Sequence, residues 1–551
     1  MEMRVPRALL AGGGKAFVRT NIGHGANRLR EIVEHTEDGK PPLASDWHDI
    51  AMTDEDDGLF TVSIPLEEVG HFEAKALYIA GEDISWPNGG NISVKVEPAH
   101  TRRANSIYTA FVRQFRDESR PDLRREVEAL DAAGYTVIPP SGTFRALASR
   151  LDHIIGTMGF RIIQLLPIHP VPTTYARMGR YGSPFASLDF MSVDPAYAEF
   201  DGRTTPLDQF RELADAIHAR GGLIFIDLPA NHTGWASTFQ TAHPEWFRRE
   251  ADGRFTSPGA WGVVWEDLVA LDHSLPAVRE AMAEVFLFWC ENGVDGFRCD
   301  AGYMIPAETW TYIVARVRHH FPDVVFMLEG LGGSIEATDT LLTASNLDWA
   351  YSEIFQCPDR DAISSYLAKA LPRSESIGPL VNFAETHDND RLAARGKPYA
   401  RLRTALAALL SQQGAFGITA GVEWFCRDKI DVHGAPPLNW GAEENQVDFI
   451  ARLNRILASH PSFDGVVPVR LVQRGPGNVI AALRDSDAPM LVCANLDLET
   501  PATVGVDASA FPFASATDLL TDKSVAIGDE GTLRTVSLPP AGIAALVPHS
   551  A

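Results

Sequence analysis

The sequence predicts an α/β protein: a (β/α)8 TIM barrel catalytic domain flanked by N-terminal and C-terminal β-sandwich domains. Three observations carry this. Continuous apolar runs recur through the middle of the 551-residue chain, each ending in polar, chemically capable residues; such runs suit parallel strands buried on both faces. Helical stretches, such as 207–220 and 276–292, separate them. Both flanks instead hold short alternating segments between turn residues, the pattern of a β-sandwich.

Taken in order, residues 1–103 are β-rich. Segments 59–64, 72–79 and 91–97 alternate apolar and polar residues, so one face of each is buried. Turn clusters at 54–58 and 86–90 separate them. Gly12, Gly13 and Gly14 read as a loop, because no helix follows to make a phosphate-binding turn. From 104 to 458 strands and helices alternate. Barrel strands are expected at 106–112, 161–167, 222–228, 294–299, 324–329, 347–353, 379–385 and 415–419. One insertion, about 229–265, follows the third strand, and another, about 116–141, follows the first. Beyond 459 the helices stop. Segments 479–484, 490–495 and 542–547 read as strands of the second sandwich, over 459–551.

Composition narrows the function. A formal net charge of −24 argues against nucleic acid and anionic membrane as partners and suits a neutral substrate. Five scattered cysteines (290, 299, 357, 426 and 493) lack CxxC spacing and read as buried thiols in a reducing compartment. The N-terminal apolar run is too short for a signal peptide, and no later run reaches membrane-spanning length. A cytoplasmic protein is the expectation.

The chemistry starts at residues 293–300, Gly-Val-Asp-Gly-Phe-Arg-Cys-Asp. In an extended chain, positions two apart share a face, so Arg298 and Asp300 point the same way at a strand end. A guanidinium beside a carboxylate favours its ionised form, as a covalent nucleophile needs. A structural ion pair is the plain alternative. Three further strand ends weigh against it: Asp227, Asn231 and His232; Glu329; His387 and Asp388. Strand ends converge at the C-terminal face of a barrel, where such enzymes build their active sites. Two carboxyl groups, one ionised and one protonated, are the minimum for glycoside cleavage. Glu329 follows the apolar run 324–328, where desolvation favours the protonated acid. Arg298, His232 and His387 are candidates to bind sugar hydroxyls and orient the carboxylates.

These segments, in order, resemble the four short motifs of the α-amylase family, glycoside hydrolase family 13. They are Asp227-Leu-Pro-Ala-Asn-His232, Gly296-Phe-Arg-Cys-Asp300, the strand ending at Glu329, and Phe383-Ala-Glu-Thr-His-Asp388. Leu165-Leu-Pro-Ile-His-Pro170 and Asp194-Pro195 are similar to the family's second-strand region. The resemblance covers about 104–458. It implies a retaining reaction on an α-glucan or maltooligosaccharide, at an α-1,4-glucosidic bond. Asp300 would be the nucleophile, Glu329 the acid/base and Asp388 the residue that holds the distorted sugar. It also implies sugar-binding roles for Asp227, His232, Arg298, His387, Phe185, Tyr303 and Arg391, and glucan binding by the N-terminal domain. No cofactor is required; calcium, which many members bind, would use Asn231.

The departures bear on the reaction. Gly182-Ser-Pro-Phe-Ala186 replaces the family's Gly-Tyr-Asp, so Phe185 stands where a stacking tyrosine is usual. Tyr303 and Met304 replace the lysine and histidine after the nucleophile. The leading expectation is an α-glucan hydrolase. The alternative is a maltosyl- or 4-α-glucanotransferase using the same residues, and a more remote one is a non-catalytic glucan-binding protein. A metal-dependent hydrolase lacks a compact ligand motif. Trp235, Trp246, Trp261, Trp265 and Trp424 fall in loops, where packing is the expected role of any single one. His319 and His320 are expected at the surface.

Overall fold

Eight short strands close into a barrel whose spatial order is the order of the chain. The computed structural model describes residues 1–7, 14–55, 57–116 and 124–549. Its barrel strands are β1 (Ser106–Ala110), β2 (Ile162–Leu165), β3 (Leu223–Leu228), β4 (Gly296–Cys299), β5 (Val325–Leu328), β6 (Trp349–Tyr351), β7 (Leu380–Phe383) and β8 (Phe416–Thr419). Neighbours are parallel, and β8 pairs back onto β1 with Phe416 beside Ser106. Each apolar run read from the sequence holds one of these strands, so the expected fold class stands.

Side-chain alternation divides the barrel into two cores. Inward residues, among them Ile107, Ile162, Phe225, Val325, Trp349 and Val381, fill its axis. Outward residues such as Tyr108, Ile163, Ile224, Phe297 and Phe326 pack under the surrounding helices. Helix Pro206–His218 shows how those helices begin: Thr205 and Asp208 form a reciprocal capping box and Pro206 opens the first turn, a local sequence signal for a helix start. Gly417 on β8 makes room for a ring on β7. A Cβ there would lie 2.3 Å from Cε1 of Phe383. Gly417→Ala is therefore expected to cost about 1–3 kcal/mol through overpacking. Urea unfolding checks this, and an unchanged midpoint would count against the close fit.

The N-terminal region carries a three-stranded sheet and a five-stranded one. It also carries helix Gly25–Asp38, which the sandwich reading missed. Leu29, Ile32 and Val33 sit at helical spacing, a stripe too short to stand out beside the alternating strands. After β3, His232–Gly234 pairs with Leu268–Ala270, and a small hairpin joins Gly259–Ala260 to Val263–Val264. The C-terminal region packs a six-stranded sheet on a four-stranded one around Val479, Leu491, Val504 and Val536. All five cysteines are free thiols, four of them buried, and His319 and His320 are exposed. Gly12, Gly13, Asp56 of the acidic turn and residues 117–123 of the first insertion lie outside the described residues. Arg124–Ala132 of that insertion is helical. No helix among the described residues is long and apolar enough to cross a membrane.

Candidate active site

Register builds the centre of the site. On the adjacent strands β3, β4 and β5, Asp227, Arg298 and Met327 stand side by side. Arg298 donates through Nη1 to both oxygens of Asp227, at 2.8 and 2.7 Å, and to Oδ1 of Asp300, at 2.6 Å. Its Nε donates to the Tyr351 hydroxyl at 3.0 Å, and Nη2 lies 4.0 Å from Oε2 of Glu329. The side chains of Arg298 and Asp227 are 2% and 0% exposed; that of Asp300 is 13% exposed and reaches the open side. Burial opposes the charge on Arg298, but the surrounding groups, Asp227 first, outweigh it and hold its guanidinium well above its ordinary value. One cation thus touches the expected nucleophile and sits beside the expected acid.

Glu329 is held by backbone. Ala301 donates to Oε2 at 2.9 Å and Leu331 to Oε1 at 2.8 Å. Ala301, next to Asp300, adopts a left-handed φ of 45°, a strained conformation of the kind that clusters at functional sites. Burial pushes the Glu329 carboxyl up to about 7; Arg298 pulls it down and Asp300 pushes it up. The carboxyl is therefore protonated below about pH 7. The bond-breaking step should hold its rate there and fall about tenfold per pH unit above. A kcat/KM profile measured against pH checks this, and a basic limb that survives in Glu329→Gln would assign it elsewhere.

The walls are aromatic. Phe185 stacks on His387, with centroids 5.4 Å apart and planes at 17°. Burial lowers the affinity of both His387 and His232 for a proton. The buried His232 lies against the Phe185 backbone carbonyl and has no side-chain hydrogen-bond partner, so its neutral imidazole keeps a ring nitrogen for a hydroxyl. Asp388 lies beside His387, Oδ2 3.4 Å from Nε2, with a side chain 64% exposed. It is at the same mouth but outside the Arg298 cluster. Tyr303 feels the charges of Glu329 and Asp300 and packs on Gly333. On the other side of this loop, Trp261 at the tip of the 259–264 hairpin covers Gly332. A Cβ on Gly332 would meet the indole Nε1 at 2.7 Å, and its φ of 94° also selects glycine. The segment after Glu329 thus runs between Trp261 and Tyr303.

One expected role changes. Arg391 is buried, donating to Glu385 at 2.7 Å, to Thr419 at 2.9 Å and to the carbonyls of Asp428 and Ala420. With its donors so engaged it fixes the loop after β7 and does not reach substrate. Asn231 points its amide at the Met304 sulfur, 3.8 Å away. No cluster of three or more His, Cys, Asp or Glu side chains suited to a metal occurs among the described residues. Two contributors were missed. Tyr351 shares a face with the charged cluster only once β6 is placed, and nothing local marks it. Trp261, grouped with packing tryptophans, is 75% exposed; the turn glycine at 262 next to it was the available signal. Trp424 is buried, and Trp246 stacks on His243.

No family model matches the chain. Among curated proteins it is similar to α-1,4-glucan:maltose-1-phosphate maltosyltransferases. It is 28% identical over 403 residues to that of Rhodospirillum rubrum, covering 66% of this chain and 57% of the relative. It is 28% identical over 348 residues to that of Pseudomonas aeruginosa, covering 58% and 51%. The chain thus spans little more than half the length of these relatives. Among solved structures, an α-amylase from Lactobacillus plantarum superposes with a TM-score of 0.63 at 20% identity, covering 81% of this chain and 99% of that one. A maltogenic α-amylase from Thermotoga neapolitana gives 0.65 at 20%, covering 81% and 98%. The structural likeness speaks for the fold alone. Together these comparisons bear out the resemblance carried by the four barrel motifs.

Proposed function

We propose that this chain is a retaining transferase of the α-amylase family, passing a maltosyl or longer α-1,4-glucanosyl unit from a donor to an acceptor sugar. The carrying observation is that Arg298 bridges Asp227 and Asp300 beside an acid pushed up to about 7. Retaining chemistry asks for such a pair, one carboxylate and one neutral acid. Asp300 attacks the anomeric carbon while Glu329 gives its proton to the leaving oxygen. The glycosyl ester on Asp300 is then displaced by an acceptor hydroxyl whose proton returns to Glu329. Asp388 holds hydroxyls of the distorted ring, Phe185 and His387 form its wall, and His232 takes a further hydroxyl. Residues 104–458 are taken as the catalytic domain, with 1–103 and 459–551 as accessory domains.

Transfer rather than hydrolysis is supported by the names of the curated relatives and by the aromatic flank of Trp261 and Tyr303 on the side of the acid, where an acceptor must sit. Hydrolysis is the second reading, favoured by the solvent around Asp388. The test is incubation with maltotetraose, and separately with maltose-1-phosphate plus an α-glucan acceptor. Transfer lengthens the glucan without a net gain in reducing ends. A steady gain in reducing ends would assign hydrolysis. No turnover of either donor would overturn the reading.

A further inference from the structure

The axis of the barrel is apolar at its floor and changes character one layer up, beneath the catalytic cluster. Ile107 and Ile162 point inward at the floor, so Thr109 and Gln164, two residues along β1 and β2, point inward as well. Register sets the two side by side. Both are buried, Thr109 4% and Gln164 0% exposed. Yet the Thr109 hydroxyl oxygen and both ends of the Gln164 amide lack a hydrogen-bond partner among the described residues. Thr419 stands on the other side of Thr109 in the register, but its hydroxyl is held between Glu385 and Arg391. A buried amide left unpaired destabilises the fold. A methionine or leucine of similar volume at 164 would avoid that loss. Folding alone therefore gives no reason for a glutamine here, and such conflicts with local rules mark functional positions.

The group that can use this amide is Tyr351. Its side chain points into the same axis, two residues beyond Trp349 on β6, and is buried. Its oxygen accepts the hydrogen bond from Nε of Arg298 at 3.0 Å. Burial holds the hydroxyl well above its ordinary pKa, with Arg298 and Gln164 pulling the other way. The proton therefore stays on the oxygen and is free to be donated. The pull of Gln164 also places its amide within reach of this hydroxyl. One turn of the amide satisfies all three unpaired atoms: Oε1 accepts from Tyr351 while Nε2 donates to Oγ1 of Thr109. A hydroxyl fixed at its hydrogen has its lone pairs aimed, here at Arg298. The same guanidinium donates to Asp300 at 2.6 Å. Catalytic hydrogen bonds are often open in a free enzyme and close when substrate packs the site, and this geometry fits the open state.

We propose that Gln164 is a positioning residue for glycosyl transfer: its amide spans from Thr109 to the Tyr351 hydroxyl, fixes that oxygen on Arg298, and through Arg298 sets the direction in which Asp300 meets the anomeric carbon. The assignment of Asp300 as nucleophile rests on the function proposed above; the link from Gln164 to Arg298 rests on the barrel geometry.

Maltotetraose kinetics on the full chain, beside urea unfolding, test this. Gln164→Met should lower kcat about tenfold, as a loss of alignment does, and leave KM nearly unchanged. The urea midpoint should hold or rise, because the amide removed was unpaired; a residue with only a structural role would lose stability and activity together. Tyr351→Phe should show a loss of similar size. The double variant should be no slower than the slower single one, since both act through Arg298. Gln164→Leu repeats the test if the methionine variant folds poorly. Full activity in Gln164→Met and Gln164→Leu would overturn the proposal. So would losses that multiply in the double variant, or a kcat that falls only in step with the urea midpoint. If the unaltered chain steadily releases reducing ends, it is a hydrolase, and the role of Gln164 stands on the same loss of kcat. If it turns over no donor, the nucleophile assignment falls and the role of Gln164 with it.

Discussion

Glu329→Gln is expected to slow turnover of an unactivated α-glucan by on the order of 10²–10⁴. The amide cannot supply the proton that the leaving oxygen requires. A donor that leaves without protonation, such as a maltosyl fluoride, should lose far less in its first step. The glycosyl ester on Asp300 should then accumulate, because the same variant lacks the base for the second step. Part of the loss will be geometric. Ala301 and Leu331 both donate to this carboxyl, and an amide nitrogen would face one of those donors. Asp300→Asn should lose at least as much with either donor, since no ester forms. Intact-mass spectrometry separates the two: an adduct with the fluoride on Glu329→Gln and none on Asp300→Asn. An adduct on Asp300→Asn, or full activity in either variant, would remove these residues from their assigned roles.

Arg298→Met should produce the largest loss of stability, about 3–5 kcal/mol, as is usual when one partner of a buried ion pair is removed. Asp227 is 0% exposed and directs both oxygens at Nη1 of Arg298. Without the guanidinium it must bury an unpaired charge or take up a proton. Activity should fall as well, because Asp300 loses its 2.6 Å contact. Pairing Arg298→Met with Asp227→Asn removes the stranded charge and should recover most of the stability while activity stays low. Urea unfolding beside maltotetraose turnover reads both. If the single variant unfolds at the wild-type midpoint, the pair is not a structural anchor. If the double variant regains activity, Arg298 does not orient the nucleophile.

Much of this site was legible in the sequence because its chemistry sits at the ends of apolar runs. Asp300 lies two residues from Arg298, and a strand fixes what that spacing means. Asp227 and Glu329 end their own runs in the same way. What could not be read was pairing across strands. That Asp227 and not another acid receives the bidentate contact from Arg298 depends on the β3–β4 register. That the Tyr351 hydroxyl accepts the hydrogen bond from Arg298 Nε depends on the position of β6 around the barrel. Arg391 misled for the complementary reason. A cation three residues from Asp388 looks like a site residue until the chain between them turns and Glu385 claims it. The helix at Gly25–Asp38 escaped because its apolar stripe spans little more than one turn, and Trp261 because its partner, Gly332, lies 71 positions along the chain.

The two-layered barrel axis has an electrical consequence. Below Asp227 and Arg298 lie Phe225, Val325, Trp349 and Val381, a floor that offers no mobile ion a path. Dissolved salt can approach the charged layer only through the mouth. Screening acts on charges that solvent ions can surround, as at the exposed Arg470–Asp485 and Arg474–Asp507 pairs of the C-terminal region. Raising sodium chloride from about 0.05 to 0.5 M should therefore soften the melting of the outer pairs while leaving turnover of a neutral glucan almost level. The field at Asp300 and Glu329 is set by the fold and insulated from the composition of the surrounding fluid.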